Sequence, residues 1–382
     1  MNLTNLPMSL DEVPLPSSLP PVILTVFTRP DLLKEVLKGL TQQTLSPPQI
    51  IAYVDGARSE LDLPLIDQTI ALLQEFSSKI PVDIRLRSQN LGCDQNVILA
   101  FTEILSTYES IVYLEDDDFP NPYFYDSMCR LLEAYREHKK IFSISGYATF
   151  PEQAYPLLEE DFALSRRVFS WGFGIWADRW NDIALINQSK QYNPFGKLYN
   201  IPATVQTKMT IINQFWLERN GQTDWVITLT LASLYQDRVH LIPKTSLIYN
   251  IGFGHPESKS FKDKEPSWVN SAYSSSFCPN SLPSTLELID LLKNEISGIE
   301  LAHYLYRKGV YIDLEALFYY LKKYRDLQSR LEFLKLFMAH SPFSFKKTRR
   351  RLGLYFSRYS IKNMNSSRKF LICKGSSDIL KK

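Results

Sequence analysis

A chain of 382 residues with 45% hydrophobic and 22% charged side chains has the composition of a folded globular protein and excludes a disordered one. Its formal net charge of +2 argues against a general nucleic-acid binder. Four scattered cysteines (Cys93, Cys129, Cys278, Cys373) give neither a zinc signature nor a disulfide framework, which points to a reducing compartment.

Residues 1–20 are punctuated by Pro and Ser without periodicity, as expected of an N-terminal tail or loosely docked arm. No basic region followed by an apolar run opens the chain, and no stretch approaches the ~18 apolar residues of a membrane span, so a cytoplasmic protein is expected. Val22–Phe27 is a β-rich apolar run ending at Thr28-Arg29-Pro30. Leu32, Leu33, Val36, Leu37 and Leu40 then share one helix face, with Pro30 suited to its first turn. Ile50–Val54 predicts a strand stopping at Asp55-Gly56, and a helix over about 63–76 and a strand at Val82–Leu86 follow. A helix opening at Asn90-Leu91-Gly92 leads to a buried strand, Ile111–Leu114, which runs straight into Glu115-Asp116-Asp117-Asp118. A helix at about 122–137 and a strand at Ile141–Ser145 complete this half. The rhythm predicts an α/β fold, a mostly parallel sheet with helices on both faces, whose ligand crevice lies beyond the carboxyl ends of the strands.

The alternation loosens after residue 150. Phe169, Trp171, Phe173 and Trp176 alternate with small residues in a pattern that fits a half-buried strand or an apolar sugar-binding wall. Gln222-Thr223-Asp224-Trp225 precedes a helical run, Val226–Leu234, and short strands are expected at His240–Pro243 and Ser246–Tyr249, ending at Gly252-Phe253-Gly254-His255. The domain core is placed at 21–257, a linker or active-site loop at 258–283, and a helical C-terminal region with a basic tail at 284–382.

The three polar features at strand ends carry the chemistry. Four adjacent carboxylates repel one another unless a cation relieves them. Mg²⁺ or Mn²⁺ takes a few carboxylate oxygens, water and substrate phosphates, although a solvated acidic turn has the same sequence. Arg29, beside a helix N-terminus, suits a phosphate. Asp55 suits a base N–H or a ribose hydroxyl. Asp224 is either a general base or the N-cap of the helix behind it.

The runs VILTVFTRPDLLKEVLKGL, YVDGA, SQNLG, IVYLEDDDFPNPYFYDSM, SISGY, SWGFGIW and TDW, in that order over about residues 20–256, resemble glycosyltransferases of the Rossmann-like GT-A fold. They are most similar to the inverting N-acetylglucosaminyltransferase I type and to bacterial family 2-like sugar transferases. That resemblance implies roles. Arg29 would contact the donor diphosphate or nucleotide, Asp55 the uracil, Glu115 the donor sugar and Asp116 the ribose or sugar. Asp117 would hold Mn²⁺ or Mg²⁺, with His255 near the metal or diphosphate. Trp171, Gly172 and Gly174 would line the donor-sugar pocket, and Asp224 would be the general base. Asp118 departs from the pattern, where an apolar residue is usual, which leaves open which aspartate ligates. The implied activity is transfer of a sugar from a nucleotide-sugar, UDP favoured by Asp55, to a glycan, lipid-linked or protein acceptor in polysaccharide or glycoconjugate synthesis.

Two other readings compete. A sugar nucleotidyltransferase would carry a Gly-rich phosphate loop after the first strand, where this chain has Thr28-Arg29-Pro30. A non-catalytic nucleotide-sugar or glycan-binding protein would have no need of both the acidic run and Asp224. Between Lys346 and Lys374 stand ten basic residues and no acidic one, interleaved with Leu352, Leu354, Tyr355, Phe356 and Tyr359. Peripheral contact of residues 344–382 with anionic lipid is one expectation from this pattern, and a solvated helix or tail is the other.

Overall fold

Successive residues of each central strand face opposite helical layers, and that alternation builds the fold. The computed structural model describes residues 7–150, 155–156, 158–183, 225–258, 265–267, 269–284, 297–307, 312 and 314–340. By its contacts the chain divides into two compact units, Met1–Tyr192 with Gln222–Lys293, and Asn193–Gly221 with Asn294–Lys382.

In the first unit β1 (Val22–Val26), β2 (Ile50–Val54), β3 (Val82–Leu86) and β4 (Ser110–Glu115) are parallel neighbours, joined through α1 (Pro30–Thr41), α2 (Leu63–Phe76) and α3 (Gly92–Ile104). After a short strand β5 (Asp118–Pro120) come α4 (Phe124–Ala134), β6 (Ile141–Ser145), β7 (Phe162–Ser165), β8 (Phe173–Trp176), α5 (Ala177–Ile183), α6 (Trp225–Tyr235), β9 (Val239–Pro243) and β10 (Ile248–Asn250). The described strands form an eight-stranded sheet of order β3-β2-β1-β4-β8-β6-β9-β7 and a β10-β5 pair. Only β8 and β7 run against the other six strands of the large sheet. This is the α/β, mostly parallel architecture that the sequence predicts, with helices also present toward the C-terminus.

Val22, Leu24, Val26, Ile50, Ala52 and Val54 pack with Leu33, Val36, Leu37 and Leu40 of α1 and with α2 and α4. Their alternates Ile23, Ile51 and Tyr53 pack with Val97, Phe101 and Ile104 of α3, with Trp180 of α5 and with Trp225 and Leu229 of α6. Both faces of β1 and β2 are therefore buried, which explains their unbroken apolar sequences. Beneath the sheet the buried Arg179 donates to the carbonyls of Tyr135, Arg136 and Ile141 at 3.0, 2.7 and 3.3 Å and lies 3.9 Å over the Trp176 ring. It places a cation against the last carbonyls of α4, where the helix dipole is negative.

Two stretches outside the regular elements are anchored to this unit. Leu10 and Val13, within the predicted tail, are buried, and Leu10 N–H donates to Asn280 O at 2.8 Å. Of the predicted linker or loop, Val269 and Leu282 are buried, and Asn270 bonds Asn250 through both its side-chain oxygen and its side-chain nitrogen. The strand expected over Phe169–Trp176 is confined to Phe173–Trp176 and is wholly buried, because β4 and β6 flank it on both sides.

The second unit's described part holds α7 (Gly298–Arg307), α8 (Leu314–Lys323) and α9 (Leu327–His340). Ser297 and Glu300 form a reciprocal capping box at the start of α7. Tyr320 and Phe333 stack with centroids 4.5 Å apart, tying α8 to α9. Among the described residues no helix is long and apolar enough to cross a membrane. The basic stretch 344–382 lies outside the described residues.

Candidate functional site

Parallel pairing puts the carboxyl ends of β1, β2 and β4 on one edge of the sheet. Thr25 is opposite Glu115, and Val26 is opposite Val54. Arg29, Asp55 and the acidic run follow these residues directly, so the structure brings them to one rim. Because β8 is antiparallel and starts opposite Tyr113, Trp171 and Gly172 arrive at the same rim.

Arg29 precedes α1 and makes no side-chain cap there. Its guanidinium turns to the acidic run instead. It forks onto Asp116, Nε donating to Oδ2 at 3.2 Å and Nη2 to Oδ1, while Nη1 donates to Asp117 Oδ2 at 2.7 Å. Burial works against the charged guanidinium, but Asp116 and Asp117 outweigh it and raise the Arg29 pKa. Burial also raises the Asp116 pKa, opposed by the Arg29 charge. One oxygen is left over: Asp117 Oδ1 is buried and has no hydrogen-bond partner. A second such atom, Thr28 Oγ1, belongs to the residue before Arg29.

Asp118 turns the other way. It is fully buried, its Oδ2 accepts the N–H groups of Glu115 at 3.2 Å and Gly172 at 3.3 Å, and its Oδ1 accepts from Asn250 Nδ2 at 3.4 Å. Burial first, then Glu115 and Asp117, raise its pKa well above the ordinary carboxylate value. One side chain thus ties the acidic turn to the Trp171-Gly172 turn and to β10. Gly172 has φ +62, and a Cβ there would lie 2.5 Å from Ile248 Cγ1 and 2.8 Å from Phe124 Cε2, so only glycine fits.

The loop after β10 closes on the same carboxylates. Ile251 N–H donates to Asp117 O at 2.9 Å, and a Cβ on Gly252 would run into Asp117 Oδ2 and sit 2.8 Å from its Cγ. Phe253 and Tyr147 flank the half-buried Trp171 edge-on, with centroids 6.0 and 4.4 Å away. His255 accepts Glu257 N–H on Nδ1 at 3.1 Å, which leaves Nε2 as the protonated nitrogen, 3.3 Å from Asp31 Oδ2. Glu257 in turn bonds Arg58 at 2.8 Å, on the loop after Asp55.

Asp55 is saturated by the chain. Gly56 and Leu91 N–H donate to Oδ1 at 2.9 and 2.8 Å, and Gly92 N–H and Asn90 Nδ2 to Oδ2 at 2.9 and 3.1 Å. Its observed work is to hold the 90–92 turn. Glu115 ends β4, half-buried, and its charge acts on Arg29 and Asp118. Gly174 is not at the rim: it lies within β8 between Val112 and Ile144, where a Cβ would meet Met128 Cε at 2.6 Å. Asp224 lies outside the described residues. Trp225, next to it, is buried, and its N–H is held by Asp94 Oδ1 at 2.9 Å.

Among the described residues no group of three or more His, Cys, Asp or Glu forms a metal cage. The cation expected here needs none, since Mg²⁺ and Mn²⁺ accept one or two carboxylates with phosphate and water. The unpartnered Asp117 Oδ1 fits that donor set. His255 is a poorer fit, because both ring nitrogens are engaged. Sequence reasoning gave no role to Thr28, Gly252 or Phe253, although their runs, Thr28-Arg29-Pro30 and Gly252-Phe253-Gly254-His255, both stand at predicted strand ends.

No protein-family model matches the sequence, and no curated protein matches it. Among solved structures the chain is similar to residues 1–349 of TarS from S. aureus in complex with UDP-GlcNAc. The identity is 10% and the TM-score 0.35, covering 91% of this chain and 78% of that one. The same fragment in complex with UDP gives 11% identity, a TM-score of 0.35 and coverage of 90% and 73%.

Proposed function

We propose that this chain is an inverting, metal-dependent glycosyltransferase of the GT-A fold, moving a sugar from a nucleotide-sugar, UDP favoured, to an acceptor hydroxyl. The observation that carries this reading is the buried, unpartnered Asp117 Oδ1 beside a phosphate-competent arginine at the crevice edge of an α/β sheet. Buried polar atoms are nearly always satisfied, so an unpartnered carboxylate oxygen at such a place supports the reading of a ligand position there.

In this mechanism Arg29 binds the donor diphosphate, and its fixed charge favours the negative charge that develops as the diphosphate leaves. Asp117 would hold the divalent cation, whose chemistry when bound is neutralisation of that same leaving group. Trp171, walled by Tyr147 and Phe253, offers an apolar face to a sugar and keeps water from it. Gly172 lets the sugar approach the backbone. Asp55 serves the nucleotide indirectly, by fixing the 90–92 turn. Asp224 accepts the proton of the attacking hydroxyl, and a single displacement inverts the anomeric centre.

A nucleotide-release assay across UDP- and GDP-sugars, with Mn²⁺ or with EDTA, tests the reading. Diphosphate release that requires both a sugar acceptor and the cation is expected. Release undiminished by EDTA would remove the metal, and silence across donors with varied acceptors would favour a non-catalytic binder.

A further inference from the structure

We infer that Arg29 is an internal counter-ion, which must give up Asp116 and Asp117 before the site accepts its divalent cation, so that cation and nucleoside diphosphate bind cooperatively. The inference rests on the glycosyltransferase reading for the identity of the two ligands, and on the structure for the competition between them.

Three of the four carboxylate oxygens of Asp116 and Asp117 accept from one guanidinium. The fourth, Asp117 Oδ1, belongs to the carboxylate whose other oxygen is 2.7 Å from Arg29 Nη1. A divalent cation at that oxygen would therefore sit beside a second, permanent positive charge in a poorly solvated site. Either the cation binds weakly or the guanidinium moves. Arg29 is able to move because its side chain keeps 16% exposure and it lies in the irregular step between β1 and α1 rather than inside an element.

A diphosphate supplies what the arginine loses. Its oxygens match the planar fork of a guanidinium as well as a carboxylate does. In the exchanged state the cation takes over the aspartates, the arginine takes the diphosphate, and every charge has a partner. Neither ligand alone reaches that arrangement. Linkage then requires that each ligand raise the affinity of the other by the same factor. Sequence order alone places Arg29 and the acidic run on one rim and does not show that they neutralise each other.

The test is Mn²⁺ binding to the full chain, followed by the electron paramagnetic resonance of free Mn²⁺, with and without UDP. In the unaltered protein UDP is expected to tighten Mn²⁺ by about tenfold or more, within the usual range of coupling between sites. Arg29→Gln is expected to bind Mn²⁺ alone about tenfold more tightly than the unaltered chain, with a smaller tightening by UDP than the unaltered chain shows. Adding Asp117→Asn to that variant should abolish the gain. Circular dichroism and Tm report whether Arg29→Gln folds. If it does not, Arg29→Lys, which keeps the charge but loses the fork, should show an intermediate gain. Mn²⁺ affinity equal to or weaker than that of the unaltered chain in a folded Arg29 variant overturns the inference, as does a gain that survives Asp117→Asn. Both results are read without any sugar transfer. A chain that shows the affinity gain but cleaves no nucleotide-sugar keeps the counter-ion and loses the proposed function.

Discussion

Adding one methyl group at residue 252 should impair the site while leaving the fold intact. Gly252 is not among the positive-φ glycines, so alanine meets no backbone penalty there. The cost comes from the neighbour: the new Cβ would stand 2.8 Å from Asp117 Cγ and 3.0 Å from its Cβ. Carbon atoms rest at about 3.5–4.0 Å, so the Asp117 side chain must retreat by about 1 Å. That is enough to break the 2.7 Å bond from Arg29 and to shift Oδ1 by a similar amount. Misplacement of a catalytic constellation by about 1 Å costs on the order of 10² in rate. Overpacking itself costs about 1–3 kcal/mol. Gly252→Ala should therefore remain folded, lose a few degrees of Tm, and show kcat/KM for sugar transfer about a hundredfold lower with weaker Mn²⁺ binding in the presence of UDP. Unchanged kcat/KM together with unchanged cation affinity would refute the claim that Asp117 works from the position seen here.

Asp118→Leu strips the acceptor from three donors, the buried Gly172 N–H and Asn250 Nδ2 and the part-buried Glu115 N–H. At about 1–3 kcal/mol for each stranded donor, urea unfolding should show a loss of several kcal/mol. Asp224→Asn should lower kcat about 10²–10⁴-fold with Tm nearly unchanged, measured by nucleotide release and a thermal melt; a large Tm loss would instead assign the residue to the helix N-terminus. His240 lies fully buried between Ser143 Oγ at 2.7 Å and Ser233 Oγ at 2.9 Å, and burial pushes its pKa down to about 3. Between that value and the unfolded value of 6.5 the unfolded chain binds a proton that the folded one refuses. Stability from this residue is thus fully present above pH 6.5 and falls by about 1.4 kcal/mol per unit below it, read from urea midpoints against pH. His240→Phe should flatten that dependence.

The order of the central elements was legible because burial on both faces forces β1 and β2 into unbroken apolar runs, while α1 shows a one-sided stripe. These are local signals. β7 is invisible for the opposite reason: Phe162–Ser165 is short, and its strand character comes from antiparallel pairing with β9, some 80 residues away. β5 is hidden inside the acidic and proline-containing stretch, and it exists only because β10 pairs with it through Asn250 opposite Asp118. The aromatic stretch misleads for a related reason. Its alternation is real, but Trp171 belongs to a turn, and only the residues from Phe173 onward have neighbours on both sides. Pairing across long sequence separation leaves no local trace.

The acidic run shows how one sequence feature becomes four physical ones. Read as a string, Glu115-Asp116-Asp117-Asp118 is a single block of negative charge, and any of the aspartates could ligate a cation. The chain leaves β4 at Glu115 and enters β5 at Asp118, so the residues between are turned in different directions. Asp118 goes inward, and its two oxygens accept from Glu115, Gly172 and Asn250, contacts that an apolar side chain could not make. Asp116 spends both of its oxygens on Arg29. Asp117 spends one oxygen and keeps one, pressed against a residue that has to be glycine. What separates the three aspartates is which acceptor positions the rest of the chain has already filled: of their six oxygens only Asp117 Oδ1 is buried without a hydrogen-bond partner, a difference the string of letters does not carry.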